Sequence, residues 1–194
     1  LEVTNALLKE DASKMDKAMD GGYTPLFAAC VDGHLEIARL LMENGAGINR
    51  VMDGGYTYLF TACAMGHLDV ARLLVENGAD LNKAKHGGVT PLYISCQDGH
   101  LEIAQLLVEN GAAINKAKHG GVTPLFIACQ KGHLKIIEML LDNGAAINKA
   151  KHGGVTPLYF ACARGRLDVA WLLVEKRADL NKAKHGGVTP LYIS

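Results

Sequence analysis

Five cysteines, Cys30, Cys63, Cys96, Cys129 and Cys162, stand 33 residues apart. Thiols at a fixed interval could pair as disulfides or ligate a metal ion. Two series of histidines keep the same interval: His34, His67, His100 and His133, and His86, His119, His152 and His185. So does a series of cations, in which Lys83 and Lys85 return as Lys116 and Lys118, Lys149 and Lys151, and Lys182 and Lys184. Each chemistry has a distance condition. A disulfide needs Cα atoms about 4.4–6.8 Å apart. Two imidazoles sharing one zinc must each bring a nitrogen within about 2.0–2.1 Å of it.

The elements that carry these residues decide the matter. "NKAKHGGVTPLY" occupies residues 82–93, 148–159 and 181–192, and 115–126 differs only in ending with Phe. In each copy Thr-Pro opens a helix: Thr offers an oxygen to a free amide of the first turn, and Pro lacks the amide that would go unpaired. In the copy at Thr90-Pro91, "LYISCQD" gives barely two turns before Gly99 ends the helix. "HLEIAQLLVEN" supplies a second helix with an apolar face of Leu101, Ile103, Ala104, Leu106 and Leu107, closed by Gly111. "AAINKAKHGG" then reverses the chain through a projecting turn. One such hairpin cannot bury both its faces, so neighbours must stack, and small residues in the first helix (Ala28, Ala29, Ala62, Ser95, Ala128, Ala161) allow close approach.

Stacked helices lie roughly 8–10 Å apart, which is too far for the cysteines to pair or for tip histidines to share an ion. Free, largely buried thiols are therefore expected, with no metal and no cofactor. No zinc-finger spacing, nucleophile elbow, phosphate-binding glycine loop or His-Glu-x-x-His helix is present, so the chain is not expected to be an enzyme.

"GGYTPLFAACVDGHLEIARLLMENGAGIN" and "GGVTPLFIACQKGHLKIIEMLLDNGAAIN" resemble ankyrin repeats, with their Thr-Pro-Leu, Gly-His, Leu-Leu and Gly-Ala signatures. The resemblance spans essentially the whole chain. It implies an all-α fold with projecting β-turns, an ankyrin-repeat α-solenoid of stacked helix-turn-helix units. It also implies protein recognition without catalysis. The organisation expected is a partial repeat at 1–20, repeats at 21–53, 54–86, 87–119, 120–152 and 153–185, and a truncated repeat at 186–194. Aromatic residues (Phe27, Phe60, Tyr93, Phe126, Tyr159, Tyr192) replace the family's usual His after Thr-Pro-Leu and should form a packed ladder. The family's Gly-His histidines should make structural hydrogen bonds. Tyr58 stands at a Pro position, Arg166 at the His position, and Lys176-Arg177 where other second helices close with Asn-Gly.

Comparison of the repeats with one another points to a binding face. The framework is held while the end of the first helix varies: Val31-Asp32, Ala64-Met65, Gln97-Asp98, Gln130-Lys131 and Ala163-Arg164. In the ankyrin arrangement these residues line the concave face. Tyr23, Tyr56, Val89 and Val122 sit at the turn tips, and Tyr is favoured at interfaces. These residues form the expected site for a protein partner. Two alternatives stand beside it: a polyanion or nucleic acid along the lysine tips, and a repeat protein drawn towards consensus with no native ligand. Residues 87–119 and 120–152 agree at 24 of 33 positions, which fits either duplication or such drawing together. Trp171, where other second helices carry Arg, Gln or Glu, should face outward on the convex side, as a binding anchor, as a simply exposed residue, or as one covered by sequence that would follow residue 194. Asn82 and Asn181 follow an acid by two residues and resemble asparagine-hydroxylation sites of ankyrin repeats.

Formal charge is zero, but residues 1–97 hold 8 Lys or Arg against 12 Asp or Glu, and residues 98–194 hold 12 against 8. A lengthwise dipole of this kind favours weak head-to-tail self-association. No apolar run reaches the roughly 18 residues of a membrane span, and the first residues carry acids rather than a signal-like apolar centre. A cytoplasmic, reducing setting is expected, or a nuclear one. "EVTNALLKEDASKMDKAMD" aligns Leu7-Leu8 with Leu40-Leu41, and "TPLYIS" stops inside a first helix. The sequence thus reads as an excerpt of a longer array with interior-type ends, frayed over 191–194.

Overall fold

The computed structural model describes residues 22–193, without the side chain of the last. The expected helix over 1–20 lies outside the described residues. Five helix pairs follow one another: α1 Pro25–Asp32 with α2 Leu35–Glu43, α3 Tyr58–Met65 with α4 Leu68–Glu76, α5 Pro91–Asp98 with α6 Leu101–Glu109, α7 Pro124–Lys131 with α8 Leu134–Asp142, and α9 Pro157–Ala163 with α10 Leu167–Glu175. A final turn, α11, spans Pro190–Ile193. Among the described residues there is no strand.

Each first helix begins where its Thr side chain accepts a hydrogen bond from the amide three residues on, 3.1–3.2 Å from Oγ1 to the nitrogens of Phe27, Phe60, Tyr93, Phe126 and Tyr159. These threonines are buried, so the bond satisfies groups that water cannot reach. Gly33, Gly66, Gly99 and Gly132 end α1, α3, α5 and α7 in the left-handed region. The second helices start at His34, His67, His100, His133 and Arg166 without a side-chain cap. Instead His67 Nε2 lies 2.9 Å from the Val31 carbonyl and His133 Nε2 lies 3.2 Å from that of Gln97. In these two repeats the histidine is tied to the end of the preceding first helix, a structural hydrogen bond of the kind the resemblance implied.

At the far ends, Asn44, Asn77, Asn110 and Asn143 donate Nδ2 to the carbonyl four residues back, each at 2.8 Å. The fifth pair departs. Lys176 reaches Asp142 across the stack at 2.6 Å, and Arg177 adopts φ 65°, the only non-glycine residue with positive φ among those described. That conformation costs roughly 1–2 kcal/mol for an L-residue.

The core is one continuous cluster. Leu26, Leu59, Leu92, Leu125 and Leu158 from the first helices meet Leu41, Leu74, Leu107, Leu140 and Leu173 from the second, all buried. First helices pack on one another more closely than second helices do. The small residues Ala29, Ala62, Ser95, Ala128 and Ala161 are buried at 2% exposure or less, which permits that approach and sets the first-helix row on the inner side of the stack. Of the ring ladder, Phe60, Tyr93, Phe126 and Tyr159 are buried and Phe27 is half-buried, whereas Tyr192 is 84% exposed on α11.

Repeats are also stitched along their turns. Asn49, Asn82, Asn115 and Asn148 accept through Oδ1 from the amides of Asp80, Ala113, Ala146 and Asp179, one repeat further on, at 2.8–2.9 Å. The amides of His86, His119, His152 and His185 donate to the carbonyls of Gly54, Gly87, Gly120 and Gly153 at 2.9–3.1 Å.

All five thiols are free; Cys30, Cys63, Cys96 and Cys129 are buried and Cys162 is half-buried. Desolvation pushes Cys30, Cys63 and Cys129 up to about 12 and raises Cys96 and Cys162 as well. Alkylation at mildly alkaline pH should therefore label Cys162 first and leave the other four until the chain opens; mass spectrometry of the peptides checks this. The same shift fixes the sign of the pH response. The four buried thiols, held neutral in the folded state, lose their advantage as pH climbs from about 9, where unfolded thiols ionise, towards 12, each by up to about 1.4 kcal/mol per unit. Denaturation midpoints should fall across that window.

Candidate protein-docking surface

The inner row ends in side chains that the fold does not use. Val31 and Asp32 close α1, Ala64 and Met65 close α3, Gln97 and Asp98 close α5, Gln130 and Lys131 close α7, and Ala163 closes α9 with Arg164 as its cap. Asp32, Met65, Asp98, Gln130, Lys131, Ala163 and Arg164 are exposed; Val31, Ala64 and Gln97 are half-buried. Met65, at 53% exposure, is an apolar side chain left in solvent midway along this row. The row changes sign along its length, from Asp32 and Asp98 to Lys131 and Arg164.

Tyr23 and Tyr56 stand on adjacent tips, 50% and 37% exposed. Each leans on a ring of its own first helix, Tyr23 on Phe27 with centroids 4.9 Å apart and Tyr56 on Phe60 at 5.5 Å. Between them opens a cleft of about 250 Å³ lined by Tyr23, Phe27, Met52, Asp53 and Tyr56. Rings held in this way lose little freedom when a partner covers them. Val89 and Val122 differ: both are half-buried and rest against the core.

The lysine tips are folded back on the protein. Lys118, Lys151 and Lys184 place Nζ 5.3–5.6 Å from the ring centroids of Tyr93, Phe126 and Tyr159, one repeat earlier. Lys85 lies 4.8 Å from the Tyr56 centroid and 3.3 Å from its hydroxyl. Lys116 and Lys149 donate to the carbonyls of Asn82 and Asn115. Cations stacked on rings were not foreseen in the sequence, although Lys and ring recur at one fixed offset, which was the available signal.

Trp171 is 67% exposed on α10, with Leu167 and Val174 on the same helix face. Asn82 holds the Ala113 amide through its side chain, while its own amide donates to Asp80; Asn181 donates likewise to Asp179. Among the described residues no three His, Cys, Asp or Glu groups are placed to hold a metal ion. No helix there is long and apolar enough to cross a membrane.

A family model described as ankyrin repeats (3 copies) matches residues 1–85 and 82–151, and one described as ankyrin repeat matches residues 153–185. No curated protein matches the chain.

Proposed function

Because the chain belongs to the ankyrin-repeat family, we propose that it is a non-catalytic recognition scaffold that holds a protein partner across the inner row of helix ends and the tyrosine tips. Ankyrin repeats are generally protein-protein interaction modules. One contrast carries the assignment. Framework side chains are consumed by caps, stitches and core, whereas the helix-end side chains differ from repeat to repeat and include an exposed methionine, and the turn tips add a separate tyrosine-lined cleft. Varied side chains on a fixed frame suit a particular partner surface, with Tyr and Met as apolar anchors. Five unpaired thiols accord with a reducing, intracellular setting.

The test is a titration of a protein captured by the immobilised chain. Tyr23→Ala with Tyr56→Ala, and separately Met65→Glu, should each weaken binding by about tenfold while far-UV circular dichroism stays unchanged. A steep fall of affinity with salt, indifference to the tyrosines, and dependence on Lys85, Lys118 and Lys151 would transfer the assignment to a polyanion.

A further inference from the structure

Between the ends of α7 and α9 lies a cavity of about 590 Å³ lined by Gln130, Lys131, Phe160, Arg164 and Arg166. Three of its five lining residues are cations and none is an acid. The ion pairs found among the described residues are Arg39 with Glu36 and Lys176 with Asp142, so none of these three cations has a carboxylate partner there. The acid at the equivalent point of α5, Asp98, is hydrogen-bonded by Gln97 on its own helix. Like charges gathered without a counter-charge repel one another, so their grouping is not explained by ion pairing within the fold.

Their placement is specific. Arg164 sits with Cζ 5.8 Å from the centroid of Phe160 and is exposed, and a guanidinium there can make planar, two-pronged contact with a carboxylate. Phe160 is itself braced by Phe126 at 5.5 Å. Arg166 occupies the position from which His67 and His133 bond a carbonyl of the preceding repeat; its Nη1 lies instead 3.0 Å from where a β-carbon on Gly132 would be. Arg166 thus places a fixed charge at the cavity wall where His67 and His133 make a structural hydrogen bond.

We infer that this cavity receives acidic side chains of the partner, so that the docked segment is rich in Asp or Glu where it crosses the fourth and fifth helix pairs. The inference rests on the protein-binding reading above and deepens it. A nucleic-acid strand fits less well, because its phosphates would continue along a row that carries Asp98 and Asp32 and offers no further cation. A peptide can be acidic at one end and apolar at the other, matching Met65 and the tyrosine cleft.

A fluorescein-labelled oligoglutamate, followed by anisotropy at low and high salt, tests it. The wild-type chain should bind and oligolysine should not. Lys131→Glu with Arg164→Glu, both exposed positions, should weaken binding by about tenfold or more with helicity intact, and Arg166→Gln by a smaller factor. Lys83→Glu with Lys116→Glu and Lys149→Glu on the tips should leave it unchanged. Failure of the wild-type chain to bind, wild-type affinity in the cavity variant, or loss in the tip variant would each overturn the inference. A captured protein that needs Tyr23, Tyr56 and Met65 but ignores Lys131 and Arg164 would overturn it and leave the scaffold reading standing. Oligoglutamate binding that depends on the cavity, together with a captured partner indifferent to the tyrosines and Met65, would do the reverse.

Discussion

Tyr58→Ala is expected to lower unfolding free energy by about 3–5 kcal/mol, a loss on the scale of deleting a large core ring. Tyr58 replaces the proline that opens α1, α5, α7 and α9, yet it is fully buried, and its hydroxyl shares a 2.8 Å hydrogen bond with Oγ1 of Thr24 in the preceding repeat. Thr24 meanwhile accepts the Phe27 amide that starts α1. One ring thus fills the space between two repeats and ties the cap of the earlier to the entry of the later. Tyr58→Phe, which keeps the ring, should cost only about 1 kcal/mol, since Thr24 retains its amide contact. Urea titration followed by circular dichroism separates the two. Equal, small losses in both variants would show that the ring contributes little packing and that the site collapses around its absence.

At Tyr58 the sequence shows that a helix starts and is silent about what the departure does. Thr57 caps α3 without proline because the side-chain acceptor alone satisfies the first-turn amide. Whether a ring in the proline position points into solvent or into the next repeat depends on inter-repeat spacing, which no local pattern encodes. The periodic features were legible for the opposite reason. Thr caps, left-handed glycines and apolar spacing in the second helices are each decided within one repeat, and identical copies must stack alike. A structural bonding role for His67 and His133 followed from the family resemblance, while its partners, the Val31 and Gln97 carbonyls, and the lysine-on-ring contacts needed the actual distance between repeats.

The candidate site was legible in kind and not in arrangement. Variation among Val31-Asp32, Ala64-Met65 and their equivalents marks residues released from the framework, and exposure of Met65 and Arg164 follows from their place at helix ends. Grouping Lys131, Arg164 and Arg166 around Phe160 is different. It depends on residues from two repeats and on Arg166 lining the cavity rather than making the bond that His67 and His133 make, so a reading of one repeat at a time cannot produce it. Val89 and Val122 show the converse: tip positions by sequence, yet half-buried, because the turn folds their side chains inward as their carbonyls accept the amides of Lys85 and Lys118.

Gly121→Ala should destabilise the chain by about 3 kcal/mol or more, and Gly120→Ala, one residue earlier, by only about 1–2 kcal/mol. Both glycines have positive φ, 80° and 90°, so both substitutions place an L-residue in the left-handed region. Only one has a neighbour in the way. A β-carbon on Gly121 would lie 3.1 Å from the backbone nitrogen of His152 and 3.1 Å from Cα of Lys151, whereas nothing stands within 4 Å of one on Gly120. Relief at Gly121 requires moving main chain, and that main chain is held where the His152 amide donates to the Gly120 carbonyl at 2.9 Å. The clash therefore strains the stitch between two turns as well as the turn itself. Gly88 meets His119 and Lys118 in the same way, with φ 82° and contacts of 3.1 Å, so Gly88→Ala should reproduce the larger loss one repeat earlier. Urea midpoints of the three variants, with hydrogen exchange at the His152 amide, provide the measurement. Equal costs at Gly120 and Gly121 would mean that backbone strain alone explains the glycine pair, and that close packing of successive tips adds nothing to the stack.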